Sequence, residues 1–135
     1  MKALESAAVA RICVVLVDSD TDTRRAVQLR LRAGPCSVRA YASGWTMLAD
    51  AAATGPECIV VRDTMIDIDG FELLRRMRDR GWHGPAILVT SAPSVELNRA
   101  AARAGFAAVV DRPLVDDVML HAVDAATRTP PGVAA

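Results

Sequence analysis

Cys58-Ile-Val-Val-Arg-Asp-Thr-Met-Ile-Asp-Ile-Asp-Gly70 is the stretch on which the fold turns. Its first four residues form an uninterrupted, largely β-branched apolar run, the pattern of a strand buried on both faces. The run breaks at Arg62 into an acidic loop. At Gly70 a helical pattern begins, with Phe71, Leu73, Leu74 and Met77 as its apolar positions. In open parallel sheets the chemistry sits outside the carboxyl ends of the strands. Arg62 and Asp63 therefore stand where a reactive group is expected.

The same alternation repeats on both sides of this stretch. Ile12 to Val17 is an uninterrupted apolar run and reads as a central strand. It ends in Asp18-Ser19-Asp20-Thr21-Asp22, acids and capping residues ahead of a helix over roughly 22–33 that Gly34-Pro35 stops. Ser37 to Tyr41 is a shorter strand nearer an edge. Ser43 caps a helix running through Trp45 and Leu48 to about Ala53, closed by Gly55-Pro56. The helix from about Gly70 to Arg80 leads into Gly81-Trp-His-Gly-Pro85, a loop in which His83 has no nearby candidate ligand and reads as an exposed residue. Ala86 to Val89 is a fourth strand, ending at Thr90-Ser91; Ser94 caps a helix to about Ala104 that Gly105 closes. Ala107 to Val110 is a fifth strand, followed by Asp111-Arg112-Pro113 and a last helix from about Leu114 to Thr127. Five strands alternating with five helices imply a parallel sheet covered on both faces. One domain is expected over residues 12–127, with an N-terminal extension at 1–11 and a tail or linker start at 128–135.

Composition narrows the function classes. The 135 residues are 52% hydrophobic, enough for one sizeable core. A formal net charge of zero gives no bulk attraction to nucleic acid or an anionic membrane. The apolar runs are too short to span a bilayer and the start shows no signal-peptide pattern, which points to the cytoplasm. Cys13, Cys36 and Cys58 are odd in number and unpaired in spacing, and read as free thiols in a reducing compartment. Lys2 is the one lysine among sixteen basic residues, so an arginine where a lysine is expected carries little weight.

The stretch around Arg62 resembles the third strand and following loop of a response-regulator receiver domain. That family has a phospho-accepting Asp at the strand end, a Met three residues later and a Gly eight residues later. Met65 and Gly70 keep this register and assign the acceptor position to Arg62. The resemblance covers about residues 10–127 and implies a flavodoxin-like, doubly wound (βα)5 fold with strand order 2-1-3-4-5. It also implies a site of three parts. Paired carboxylates after the first strand hold Mg²⁺. The strand-three Asp is metal ligand and nucleophile. A hydroxyl after the fourth strand and a Lys-Pro after the fifth bind phosphoryl oxygens.

Carried over residue by residue, Asp18 matches the first acid and Ser19 replaces the second, with Asp20 one residue beyond. Arg62 replaces the acceptor; a guanidinium cannot form an acyl phosphate and stays protonated. Thr90 matches the hydroxyl, Arg112 stands for the Lys and Pro113 keeps the proline. Val109 occupies the aromatic switch position, where its small side chain cannot swing to report the state of Thr90. Alternation sends Asp63 to the side opposite Arg62, which argues against it as a displaced acceptor. The resemblance implies that the former phosphate pocket is lined by Arg62, Arg112 and Thr90. Asp67 and Asp69 faintly echo a calcium loop, but alignment on Gly70 puts Met65 and Arg76 at ligand positions, which excludes it.

These departures identify a degenerate receiver, not an enzyme, that takes no phosphate and works by protein–protein contact. Cofactors are expected to be none, with Mg²⁺ binding weak or absent. Expected partners are signalling proteins (a histidine kinase, a regulator or an output protein), with no nucleic acid or membrane contact by this domain. A homodimer through the fourth and fifth helices is a further expectation, because the last helix is apolar over a wide arc. Two alternatives stay open: an anion or metabolite sensor using the former phosphate pocket, and a receiver phosphorylated at Asp63. Across the strand ends, Arg62 is expected to pair with Asp18 or Asp20 in place of the metal.

Overall fold

The five apolar runs form five parallel strands in the computed structural model, which describes residues 11–50, 55–112 and 117–128. The strands are β1 (Ile12–Val17), β2 (Cys36–Tyr41), β3 (Cys58–Arg62), β4 (Ala86–Thr90) and β5 (Ala108–Asp111). Between and after them lie α1 (Thr21–Ala33), α2 (Gly44–Ala49), α3 (Gly70–Asp79), α4 (Val95–Ala104) and α5 (Val118–Arg128). The sheet order is β2-β1-β3-β4-β5, every pair parallel. This is the doubly wound order implied above. It puts β1 beside β3 and brings the ends of β1, β3, β4 and β5 together along one edge.

Alternating side chains divide the core into two layers. Val15, Val17, Ile59, Val61 and Leu88 pack with Met47, Leu73, Leu74 and Met77 under α2, α3 and α4. Val14, Leu16, Cys58, Val60, Ile87 and Val89 pack with Val27, Leu31, Met119 and Val123 under α1 and α5. Burying a Leu, Ile or Val side chain is worth about 1.5–3 kcal/mol, so the two layers set the strand register firmly. Cys36 and Cys58 lie within the second layer as free thiols, and burial pushes the Cys58 thiol up to about 12.

Four helices start on side-chain caps, of which Ser43 and Ser94 were read from the sequence. Asp20 accepts from the backbone N–H of Thr23, Ser43 from Thr46, Asp69 from Glu72 and Ser94 from Leu97. α2 ends at Ala49, and the rest of the helix expected to about Ala53 lies outside the described residues. Asp50 is in extended backbone and its carboxylate accepts from the Tyr41 hydroxyl at 2.6 Å. Strand ends shift by a residue: β2 begins at Cys36, β4 reaches Thr90 and β5 reaches Asp111, because pairing with the neighbouring strand continues there. The expectations for the N-terminal extension, for Pro113 and for the tail beyond Arg128 fall outside the described residues. Among the described residues no helix is long and apolar enough to cross a membrane.

The wide apolar arc of the last helix is largely consumed inside the fold. Met119 and Val123 are buried, and Leu120, Ala122 and Ala126 pack against the same layer. Leu120 sits over Gly34, where an added Cβ would come within 2.8 Å of its methyl groups. Val118, 41% exposed, is the large apolar side chain that α5 leaves uncovered.

Candidate functional site

Register determines which side chains meet at the strand ends. Val17 pairs with Val61, and Arg62 with Val89. One residue further on, Asp18 lies beside Arg62 and Asp63 beside Thr90. Alternation puts the first couple on the α1/α5 side of the sheet and the second on the α2–α4 side. Two adjacent sets of contacts result.

Arg62 is the hub of the first. Its Nη1 lies 3.5 Å from Asp18 Oδ1, and the two side chains are only 11% and 4% exposed. Its Nη2 donates to Ser91 Oγ at 3.3 Å. Its buried Nε makes no hydrogen bond but lies 3.7 Å from Asp63 Oδ1. Asp18 also accepts from the backbone N–H of Asp20 at 2.9 Å. In the second set, Thr90 Oγ1 donates to Asp63 Oδ2 at 2.7 Å and accepts from the backbone N–H of Ala92 at 3.0 Å. Asp63 thus touches both sets.

Asp20 and Arg112 form a third, more exposed couple. Arg112 Nη2 lies 3.3 Å from Asp20 Oδ2, linking the end of β5 to the start of α1. The Thr23 hydroxyl, which also bonds this carboxylate, holds Asp20 below its usual range, with Arg112 and Arg62 adding to the effect.

The loop from β3 to α3 is tied down at several points. Ser19 Oγ accepts from the backbone N–H of Ile66 at 3.2 Å. The Asp67 carboxylate accepts from the backbone N–H groups of Gly44 at 3.2 Å and Trp45 at 2.9 Å, at the start of α2. Burial pushes Asp67 up, but the bonds from Trp45 and Gly44 outweigh it and leave the carboxyl below its ordinary value. Gly70 explains the spacing that placed Arg62 at the acceptor position. A Cβ there would fall 2.5 Å from the Arg62 carbonyl oxygen, so the chain returns to the strand end only with glycine. Met65 is half-buried against the α2–α4 layer, as is Val109.

Two sequence expectations need correction. Asp63 does not stand apart from the pocket: its carboxylate accepts from Thr90 and also lies 3.7 Å from Arg62 Nε. Thr90 correspondingly faces Asp63, while the hydroxyl on Arg62 is that of Ser91. The expectation that Arg62 pairs with Asp18 or Asp20 holds for Asp18, and Asp20 goes to Arg112. Both guanidinium groups are already matched to carboxylates, which does not suit an open anion pocket. Neither Ser91 nor Asp67 was assigned these contacts from the sequence. Ser91 had only its place after Thr90 as a signal, and Asp67 bonds a helix start 22 residues away, for which sequence holds no local sign.

The side chains present do not fit Mg²⁺. The cation needs several oxygen ligands in near-octahedral array. Here Ser19 is engaged by the loop and a fixed guanidinium lies against Asp18. Among the described residues, no three His, Cys, Asp or Glu side chains cluster as a metal would require.

Residues 14–124 match the family model of the response regulator receiver domain. The chain belongs to that family. Within it, this receiver is 27% identical over 114 residues to the transcriptional regulatory protein FixJ of Rhizobium meliloti, covering 84% of this chain and 56% of FixJ. It is 31% identical over 120 residues to a probable transcriptional regulatory protein, SgaR, of Hyphomicrobium methylovorum, covering 87% of this chain and 57% of SgaR. The chain therefore spans little more than half the length of these regulators. Among solved structures, FixJ-N superposes with a TM-score of 0.78 at 26% identity, covering 88% of this chain and 95% of that one. The Vibrio cholerae chemotaxis protein CheY4 superposes at 0.80 with 22% identity, covering 87% and 99%, a likeness of fold alone.

Proposed function

We propose that this receiver domain signals by protein–protein contact without being phosphorylated, and that it is neither an enzyme nor dependent on a metal. The observation that carries this reading is the placement of Arg62 at the end of β3, paired with Asp18 at 3.5 Å. The position that should hold a nucleophile and metal ligand holds a permanent cation instead, and that cation neutralises the remaining acid. The pocket is then locked by its own side chains in one arrangement. Its partner is a histidine kinase, another regulator or an output protein in the cytoplasm, in line with the transcriptional regulators it resembles. Association of two copies through α4 and α5 would cover Val95, 61% exposed, and Val118. Sedimentation should then show a mass that rises with concentration, and a constant monomer mass would remove the dimer from the proposal.

The experiment for the main reading is incubation with acetyl phosphate and Mg²⁺ followed by intact mass measurement. The expected result is no added phosphoryl group. A second reading has one specific observation in its favour: the 2.7 Å bond from Thr90 to Asp63 gives Asp63 the hydroxyl partner expected of an acceptor. A stable phosphoryl increment that disappears in Asp63→Asn would establish that reading and overturn the first.

A further inference from the structure

The C-terminal ends of α2 and α3 enclose, with the loop before β4, a cavity of about 260 Å³. It lies at the end of the sheet opposite Arg62 and shares no residue with the receiver site. Met47, Met77 and Trp82 form its apolar surface, and Asp50, Arg80 and His83 supply its charged and polar groups. The two methionines are almost wholly buried.

The walls are held in place before any ligand arrives. Trp82 Nε1 donates to the Pro56 carbonyl at 2.8 Å. The Arg78 guanidinium lies over the indole at 5.1 Å and donates to the carbonyls of Trp82 and Gly84. Gly84 lets the indole close in, because a Cβ there would come within 2.5 Å of the ring. Gly81, at φ 91, makes the left-handed turn that returns the Trp82 N–H to the Met77 carbonyl at 3.0 Å. Arg80 is anchored through Nη1 to the Leu48 carbonyl at 2.8 Å, and Asp50 through the Tyr41 hydroxyl. A fixed aromatic wall and fixed charges lower the ordering cost of binding.

We propose that this cavity binds a free α-amino acid with a large apolar side chain. Charges of both signs around one apolar pocket match a zwitterion better than a simple anion, cation or hydrocarbon. A carboxylate has room for about four hydrogen bonds, so Asp50 can accept from an ammonium beside the partners it already holds. Arg80 and His83 meet the ligand carboxylate. Thioethers and an indole adapt to an aromatic or branched side chain, and the volume suits a ligand of amino-acid size.

Trp45→Phe keeps a ring under Arg76, which stacks at 4.6 Å, and leaves Trp82 as the only tryptophan. Titrating this variant with L-phenylalanine should change the Trp82 emission saturably, and the amide resonances of residues 47–50 and 77–83 should move in parallel. Binding should weaken about tenfold or more, roughly 1.4 kcal/mol, in Arg80→Gln and for 3-phenylpropionate or phenethylamine, each lacking one charge. His83→Ala, further from the packed core, should weaken it in the same direction if Arg80→Gln folds poorly. No saturable response up to about 20 mM would overturn the proposal. So would equal binding of 3-phenylpropionate, or equal binding by both folded variants.

Discussion

At the scale of the residue, the proposed function rests on Arg62. In that reading a guanidinium stands in for the acceptor carboxylate, so a nucleophile and a metal ligand are lost and a cation is gained. The adjacent Asp18 is 3% exposed, and ionised it needs a positive neighbour. Arg62→Ala is expected to lower stability by about 1–3 kcal/mol, because a buried acid loses its partner while its backbone hydrogen bond from Asp20 remains. Chemical denaturation checks this. An unchanged midpoint would mean that Arg62 stabilises nothing and that its guanidinium serves a partner instead. Arg112 is a milder departure, since it keeps the charge of a lysine and pairs with the exposed Asp20.

At the scale of the element, the loop between β3 and α3 is fastened without an ion. Ser19 holds it to β1 and Asp67 holds it to α2. Asp67→Ala should cost about 0.5–1 kcal/mol, the low end for a lost cap because the carboxylate is largely solvent-screened. The local sign is clearer than the size: the amides of Gly44 and Trp45 should exchange faster with deuterium while the core strands do not. The pH dependence follows from the lowered carboxyl. Its contribution is complete above the ordinary Asp range and is lost as pH falls through the depressed value, below about pH 4. The Gly44 and Trp45 amide resonances should shift together over that window, and Asp67→Asn should abolish the transition.

At the scale of the whole molecule, stability rests on the two apolar layers rather than on the site. A ligand that binds only the folded state raises stability by about 1.4 kcal/mol at ten times its dissociation constant. Adding Mg²⁺ to about 10 mM should therefore leave the denaturation midpoint unmoved, since a site of millimolar affinity would raise it visibly. A clear upward shift, lost in Asp18→Asn, would show that Arg62 yields to a metal. Ile59→Ala, by contrast, should cost about 2–5 kcal/mol, because Ile59 is fully buried at the centre of the sheet.

The repeating apolar runs were enough to identify the parallel sheet, since a strand buried on both faces leaves a continuous signature. The Gly70 read as the start of a helix stands where the returning loop meets the Arg62 carbonyl and only glycine fits. Which hydroxyl faces which acid was another matter. The bond from Thr90 to Asp63 and the contact from Arg62 to Ser91 depend on the offset between β3 and β4, and a period of two cannot supply an offset. Likewise, Asp67 reaches α2, and Asp50, just past the last residue of that helix, bonds Tyr41. Local pattern determined the strands; only the packed sheet, by bringing distant strand ends within hydrogen-bond reach, decided how the charges at those ends pair.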